Sequence, residues 1–184
     1  MLNEQTSAKL AELKLSGMLE SYHEQMTNKD YQSMSFEDRF NLMVDLEYSR
    51  RKNNKLQRLI KAANFRNSTA SIEDIEYHTD RNLDKNLILK LASGIYLEDH
   101  HNLILMGASG NGKTYIANAF GIQACRQYYN VKYIRLPELL DELTISKNQA
   151  DGSFRKIINR YKKVQLLIID EWLLTNLSLE NSTF

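Results

Sequence analysis

Residues 107–114 decide how the rest of this sequence is interpreted. They read Gly107-Ala108-Ser109-Gly110-Asn111-Gly112-Lys113-Thr114 and fit the pattern G-x-x-x-x-G-K-[S/T]. Three of the seven glycines of the chain lie in this loop, so backbone freedom is concentrated at one place. Between a strand and a helix, such a loop directs successive N–H groups toward phosphate oxygens at the helix N-terminus. The pattern predicts a nucleotide phosphate site, which we extend to Tyr115.

The residue types at the end of the loop indicate what would be bound. Lys113 is expected to reach the β- and γ-phosphates, and the Thr114 hydroxyl is expected to ligate Mg²⁺. No guanine-reading N-K-x-D motif follows the loop, which favours ATP over GTP.

A second motif lies some fifty residues downstream, where the apolar run 166–169 is followed by two acids. The run predicts a buried strand that ends in Asp170 and Glu171. Asp170 is expected to hold Mg²⁺ through its ligand shell, and Glu171 to orient or deprotonate an attacking water. We therefore expect Lys113 and Glu171 to be the catalytic residues.

The elements around these motifs alternate between strand and helix. Apolar runs predict strands over 102–106, 131–135 and 164–170, and helical spacing is found between and after them, over about 113–129, 137–146 and 154–163. Alternation of this kind predicts an α/β fold with a parallel sheet that helices cover on both faces.

The preceding part of the chain has a different texture. Residues 5–63 contain one glycine and no proline, and their apolar residues follow helical spacing, which predicts two or three helices. Ser35 followed by Asp38 is typical of a helix start. We predict an N-terminal helical domain over 1–66, a connector and short helix over 67–94, and a phosphate-loop ATPase domain over 95–184.

The net charge of +1 conceals an uneven distribution, because residues 50–66 carry seven cations and no acid. One interpretation is a solvated helix face. The other is a helix that binds double-stranded DNA through its phosphates without reading the sequence. The candidate DNA-binding residues are Arg50, Arg51, Lys52, Lys55, Arg58 and Lys61.

Composition excludes several classes of protein. The chain has 184 residues, of which 42% are hydrophobic and 26% charged, as is ordinary for a globular protein. No apolar run approaches the roughly 20 residues of a membrane span, and no secretory signal is visible. Its single cysteine cannot form an internal disulfide. We expect a cytoplasmic protein with no membrane association.

The assembled motifs resemble a known family. The segments LKLSGMLESY, DLEYSRRKNNKLQRLIKAANF, NLILMGASGNGKTYIANA and LLIIDEWLL together resemble IstB-like transposition helper proteins, which are AAA+ ATPases related to the helicase loader DnaC. The resemblance implies an ATP-dependent DNA-binding protein of an insertion sequence that acts on target DNA and on its partner transposase. It also implies a homo-oligomer on DNA and DNA contacts from the helical leader.

The resemblance further implies that the ATPase domain is truncated at its C-terminus. Family members continue past the second acidic motif into a strand with a sensor residue, an arginine finger and a helical portion, whereas this chain ends fourteen residues after Asp170. In the family that strand lies between the strand before the phosphate loop and the strand ending at Asp170. We therefore expect these two strands either to pair directly or to leave exposed edges.

Three functions stay open at this point. The first is an ATP-binding helper of transposition in which ATP hydrolysis is uncertain, because no residue after Glu171 is basic and the arginine finger is missing. The second is a replicative helicase loader. The third is a DNA- or partner-binding fragment that does not hydrolyse ATP.

Overall fold

The structure is a computed structural model that describes residues 2–78, 83–149 and 151–172. In chain order the elements are α1 (Leu2–Glu12), α2 (Ser16–Thr27), a short 3-10 helix (Lys29–Ser33), α3 (Phe36–Ala63), α4 (Lys85–Ala92), α5 (Ile95–Glu98), α6 (Lys113–Arg126), β1 (Val131–Arg135), α7 (Leu136–Lys147), α8 (Ser153–Lys162) and β2 (Leu166–Asp170). The chain forms two compact units, which divide between Lys55 and Leu56. The predicted end of the ATPase domain, after residue 172, lies outside the described residues.

The N-terminal unit, residues 1–55, is helical as predicted. The predicted start of α3 is confirmed, because the Ser35 hydroxyl accepts a hydrogen bond from the Asp38 N–H at 3.1 Å and donates one to the Asp38 carboxylate at 2.8 Å. The first of these bonds satisfies a backbone N–H that has no partner within the first turn of the helix.

A buried carboxylate joins α2 to α3 in this unit. Glu47 Oε2 accepts hydrogen bonds from the N–H groups of Gly17 at 2.7 Å and Met18 at 3.3 Å, and Arg51 Nε donates to Oε1 at 2.5 Å. Burial raises the pKa of Glu47, but these three donors outweigh burial and hold the pKa below its usual value. A side chain at residue 17 would prevent the approach, since a Cβ there would lie 2.7 Å from Glu47 Cα.

The C-terminal unit, residues 56–184, has its core around α6. Ile116, Ala119 and Phe120 of this helix are buried together with Ile72 and Ile75, which precede α4. Residues 67–78, which were predicted to be part of a connector, therefore lie within this unit and contribute side chains to its core. The final turns of α3 also belong to this unit, and the division into units thus falls eleven residues before the predicted boundary at residue 66.

The described sheet consists of β1 and β2, which are parallel with Val131 opposite Leu166 and Arg135 opposite Asp170. Helices α7 and α8 form the crossover that a parallel pair requires. Gly121 allows α6 to lie close to β2, because a Cβ at this position would be 2.7 Å from Ile168 Cδ1. The predicted α/β fold, with a helical N-terminal part and a partial phosphate-loop domain, is confirmed.

The prediction of a strand over 102–106 is wrong. These residues have no strand hydrogen bonding, and Ile104 and Met106 are 80% and 88% exposed. Their apolar composition suits a buried strand, but a strand forms only when a neighbour satisfies its N–H and C=O groups. The described sheet has no strand beside them. The sequence left two outcomes open for this segment, direct pairing with the strand that ends at Asp170 or exposure, and the structure shows exposure.

In the part of the chain that the structure describes, no helix combines the length and the apolar character needed to cross a bilayer.

We predict that Gly17→Ala destabilises the N-terminal unit. In an unconstrained helix this change adds about 1 kcal/mol of stability through helix propensity. Here the new Cβ would meet backbone atoms of Glu47, so we expect a net loss of about 1–3 kcal/mol instead.

The measurement is urea unfolding followed by circular dichroism. Ser16→Ala, at the exposed first residue of the same helix, is the matched control and should leave the midpoint nearly unchanged. A higher midpoint for Gly17→Ala would show that α2 and α3 do not approach as described.

Candidate nucleotide site

The predicted phosphate loop precedes α6 directly. Gly110 and Gly112 have φ angles of 82° and 75°, in the left-handed region that favours glycine. Gly112 is the N-cap of α6 and has no side chain with which to cap it. The first N–H groups of the helix are therefore available to an anion, as a phosphate site requires.

Lys113 lies over the start of this loop. Its ammonium donates hydrogen bonds to the carbonyl oxygens of Gly107 at 2.9 Å and Ala108 at 2.8 Å. The side chain thus bends back across the loop, and its positive charge is close to the backbone that would surround a phosphate.

Asp170 joins the two predicted motifs. The Thr114 hydroxyl donates a 2.7 Å hydrogen bond to Asp170 Oδ2, which connects the first turn of α6 with the last residue of β2. The Tyr133 hydroxyl donates to the same oxygen at 2.8 Å, and the Glu171 N–H donates to Oδ1 at 2.8 Å. The structure therefore brings Lys113, Thr114 and Asp170 to one end of the sheet.

The environment of Asp170 favours its charged form. Partial burial raises the pKa of this carboxyl. The hydrogen bonds from Thr114, Tyr133 and the Glu171 N–H, together with the nearby Arg66 charge, lower it by a larger amount, so the pKa lies below its usual value of 3.8. A lowered pKa contributes stability above pH 3.8, which is lost as the pH falls through the folded-state value. Asp170 is thus an anion at neutral pH.

The oxygens of this pair suit a magnesium ion. Mg²⁺ prefers hard oxygen ligands and usually takes only one or two from the protein, with water and phosphate oxygens completing its shell. Thr114 Oγ1 and Asp170 Oδ2, which lie 2.7 Å apart, are oxygens of this kind and face each other at the end of the phosphate loop.

Glu171 is held differently from Asp170. It adopts a left-handed φ of 57°, which is uncommon for a residue with a side chain and recurs at functional sites. Its two carboxylate oxygens form ion pairs with Arg66 at 3.3 Å and Arg135 at 3.5 Å. Arg135 also pairs with Glu138, at 2.5 Å. The Glu171 carboxylate therefore follows Asp170 directly but is paired with the guanidinium groups of Arg66 and Arg135.

Tyr115 has a different role from its neighbours in the motif. Its ring packs against the core cluster, and its hydroxyl accepts a hydrogen bond from the Ser71 N–H at 3.3 Å. Only the backbone of Tyr115 remains for the phosphate site. Helix α5 contributes to the same core cluster, because its Tyr96 is buried edge-on against Phe120 with ring centroids 6.1 Å apart.

The predicted DNA-binding residues all lie on α3. Arg50 forms an ion pair with Glu20, and Arg51 pairs with Glu47 and donates to the Lys14 carbonyl at 3.3 Å. These two cations therefore also hold the N-terminal unit together. Arg58 and Lys61, in contrast, are exposed near the C-terminal end of the helix.

Sequence reasoning did not identify Tyr133, Arg135 or Arg66 as parts of the site. A signal existed for the first two, because β1 and β2 are parallel and their carboxyl ends meet at one edge of the sheet. Arg66 is 105 residues from Glu171, and no local pattern connects them.

We predict that Tyr133→Phe destabilises the C-terminal unit while the ring stays packed. The change removes one hydrogen bond to a charged carboxylate, and we expect a loss of about 1.5–3 kcal/mol. The loss should shrink as the pH falls through the folded-state pKa of Asp170, because a protonated Asp170 is a weaker acceptor. Thermal unfolding over a pH series from 7 to well below 3.8 measures both effects, with Tyr129→Phe in the same unit as the control; a loss that stays constant across the series would contradict the assignment.

Comparison with known proteins identifies the family of the chain. Residues 8–183 match the family model described as IstB-like ATP binding protein. A protein named as the ATP-binding protein of insertion sequence IS1162 from Pseudomonas fluorescens is 41% identical over 172 residues, covering 94% of this chain and 74% of the relative. Two insertion-sequence ATP-binding proteins of Sinorhizobium fredii are 34% and 29% identical, each over 94% of this chain and over 69% and 68% of their own lengths. The chain belongs to the IstB-like ATP binding protein family of insertion sequences.

Proposed function

We propose that the chain binds ATP together with Mg²⁺ at the loop 107–115. The observation that carries this proposal is the 2.7 Å hydrogen bond between Thr114 and Asp170, which unites a phosphate-loop hydroxyl with a strand-end carboxylate. Family membership and the names of the relatives support ATP as the nucleotide.

Each residue has a proposed part in binding. The N–H groups of the loop and of the first turn of α6 would hold the phosphates, and the Lys113 ammonium would exchange its two carbonyl partners for the β- and γ-phosphate oxygens. Thr114 and Asp170 would hold Mg²⁺, which neutralises phosphate charge when bound. Glu171 would orient or deprotonate a water after leaving at least one of its arginine partners.

We further propose that this ATP-binding protein is a cytoplasmic helper of insertion-sequence transposition that acts on double-stranded DNA and on a transposase, and that it assembles as a homo-oligomer on DNA. The insertion-sequence names of the relatives support the setting. The exposed basic end of α3 supports DNA as a partner.

We predict that Lys113→Ala weakens binding of a fluorescent ATP analogue. A charge-assisted hydrogen bond contributes about 1.5–3 kcal/mol, so the dissociation constant should rise at least about tenfold. Fluorescence titration in the presence of Mg²⁺ measures this change.

Lys90→Ala, which removes an exposed lysine from α4, is the matched control and should bind as the unchanged chain does. Asp170→Asn should reduce the dependence of binding on Mg²⁺ while removing little volume. If Lys113→Ala binds the analogue with unchanged affinity, the phosphate site is assigned incorrectly.

A second candidate is a DNA- or partner-binding protein that binds ATP without hydrolysing it. The ion pairs of Glu171 with Arg66 and Arg135 favour it, because the carboxylate that would activate water is already engaged. Phosphate release separates the two: turnover that Glu171→Gln abolishes supports hydrolysis, and ATP binding without turnover supports the second candidate.

We predict that the double variant Arg58→Ala, Lys61→Ala weakens DNA binding, and that its affinity falls by a similar factor for duplexes of unrelated sequence. The plot of log K against log salt has a negative slope. For every DNA phosphate that the variant no longer neutralises, the magnitude of this slope should decrease by about one. Fluorescence anisotropy at several salt concentrations gives both quantities.

The matched control is Lys9→Ala, Lys29→Ala, which makes the same charge change at exposed positions of the N-terminal unit. Arg50 and Arg51 are left intact because their ion pairs stabilise that unit. A salt slope that stays the same in the α3 variant would remove this end of α3 from the DNA interface.

A further inference from the structure

Helix α3 carries an exposed apolar ridge that no proposed role uses. Phe36, Phe40, Val44 and Tyr48 follow one another at intervals of four residues, which places them side by side along the helix surface. They are 68%, 45%, 41% and 61% exposed, and the rings of Phe36 and Phe40 stack with centroids 5.9 Å apart.

The N-terminal unit has little apolar core to compensate for this exposure. Among residues 3–55, those that are buried are Gly17, Ser21 and Glu47, and no apolar side chain is buried. Small units stabilise themselves poorly because they bury a small fraction of their surface, and association is one remedy. Covering the apolar ridge would therefore stabilise the unit.

The charges beside the ridge differ at its two ends. Glu37 lies seven residues before Val44, and Lys52 lies eight residues after it. The Lys52 ammonium lies over the Tyr48 ring, 5.3 Å from its centroid, which keeps this cation beside the ridge. Glu37 thus lies near one end of the ridge and Lys52 near the other, at nearly equal distances along the chain from Val44.

We propose that the ridge is the contact between two copies of this chain, with their α3 helices antiparallel and Val44 at the two-fold axis. In this arrangement Glu37 of each copy faces the partner's Lys52. Ridges of residues spaced by four pack into the matching grooves of a second helix, and a two-fold contact requires such self-complementarity. The pair needs neither DNA nor ATP.

Charge disfavours the other occupants of the ridge. Parallel helices would place Glu37 beside Glu37 and Lys52 beside Lys52, which is repulsive at both ends. A partner of one charge sign, such as a basic peptide or DNA, would be attracted at one end and repelled at the other.

Sedimentation velocity on the full chain, without DNA or nucleotide, tests the apolar contact. We expect a mass of twice 21.4 kDa at micromolar concentration, and we expect Val44→Glu to raise the dimer dissociation constant at least about tenfold. Leu42→Glu is the matched control, because Leu42 is also 41% exposed and lies on another side of the same helix. A monomeric parent chain, or equal effects of the two variants, would overturn the proposal.

Charge exchange tests the orientation. Glu37→Lys and Lys52→Glu should each weaken the dimer alone, whereas an equimolar mixture of the two, or both changes in one chain, should restore it. Recovery in the mixture also shows that both variants are folded. Glu12→Lys makes the same charge change on α1 and should have no effect. Single variants that dimerise normally, or a mixture that does not recover, would overturn the antiparallel pairing.

Discussion

The hydrogen bond from Thr114 to Asp170 is the constraint on which the candidate site depends. It joins the start of α6 to the end of β2 across 56 residues of sequence. It can form only because α6 lies close to β2 at Gly121 and because the crossover through α7 and α8 returns the chain parallel to β1. This one contact therefore depends on the loop sequence, the helix packing and the strand register together. Magnesium coordination would use the same two oxygens.

The neighbouring acids Asp170 and Glu171 differ in role because their partners differ. Asp170 accepts from two hydroxyl groups and one N–H, so it remains an anion with a geometry suited to a cation. Glu171 leaves the strand with a left-handed φ and turns to Arg66 and Arg135. This separation keeps two adjacent negative charges from competing for one site.

The same physical rule accounts for the success and the failure of the strand predictions. Residues 131–135 and 166–170 form β1 and β2, since each strand satisfies the hydrogen-bonding groups of the other. Residues 102–106 are more apolar than 131–135, yet they have no such neighbour in the described sheet and remain exposed. Exposure of the α3 ridge has a related origin, because helical spacing predicts which residues share a side of a helix but not what covers that side.

The sequence by itself determined the phosphate loop, the acidic strand end, the α/β class and the helical leader. These features rest on local chemistry: glycine torsions, charge type and the periods of helix and strand. Only the tertiary structure decided that Tyr133 and Arg66 join the site, that Tyr115 turns into the core and that 102–106 does not form a strand. Each of these depends on which distant groups come within hydrogen-bonding distance, and side-chain spacing along the chain carries no information about that.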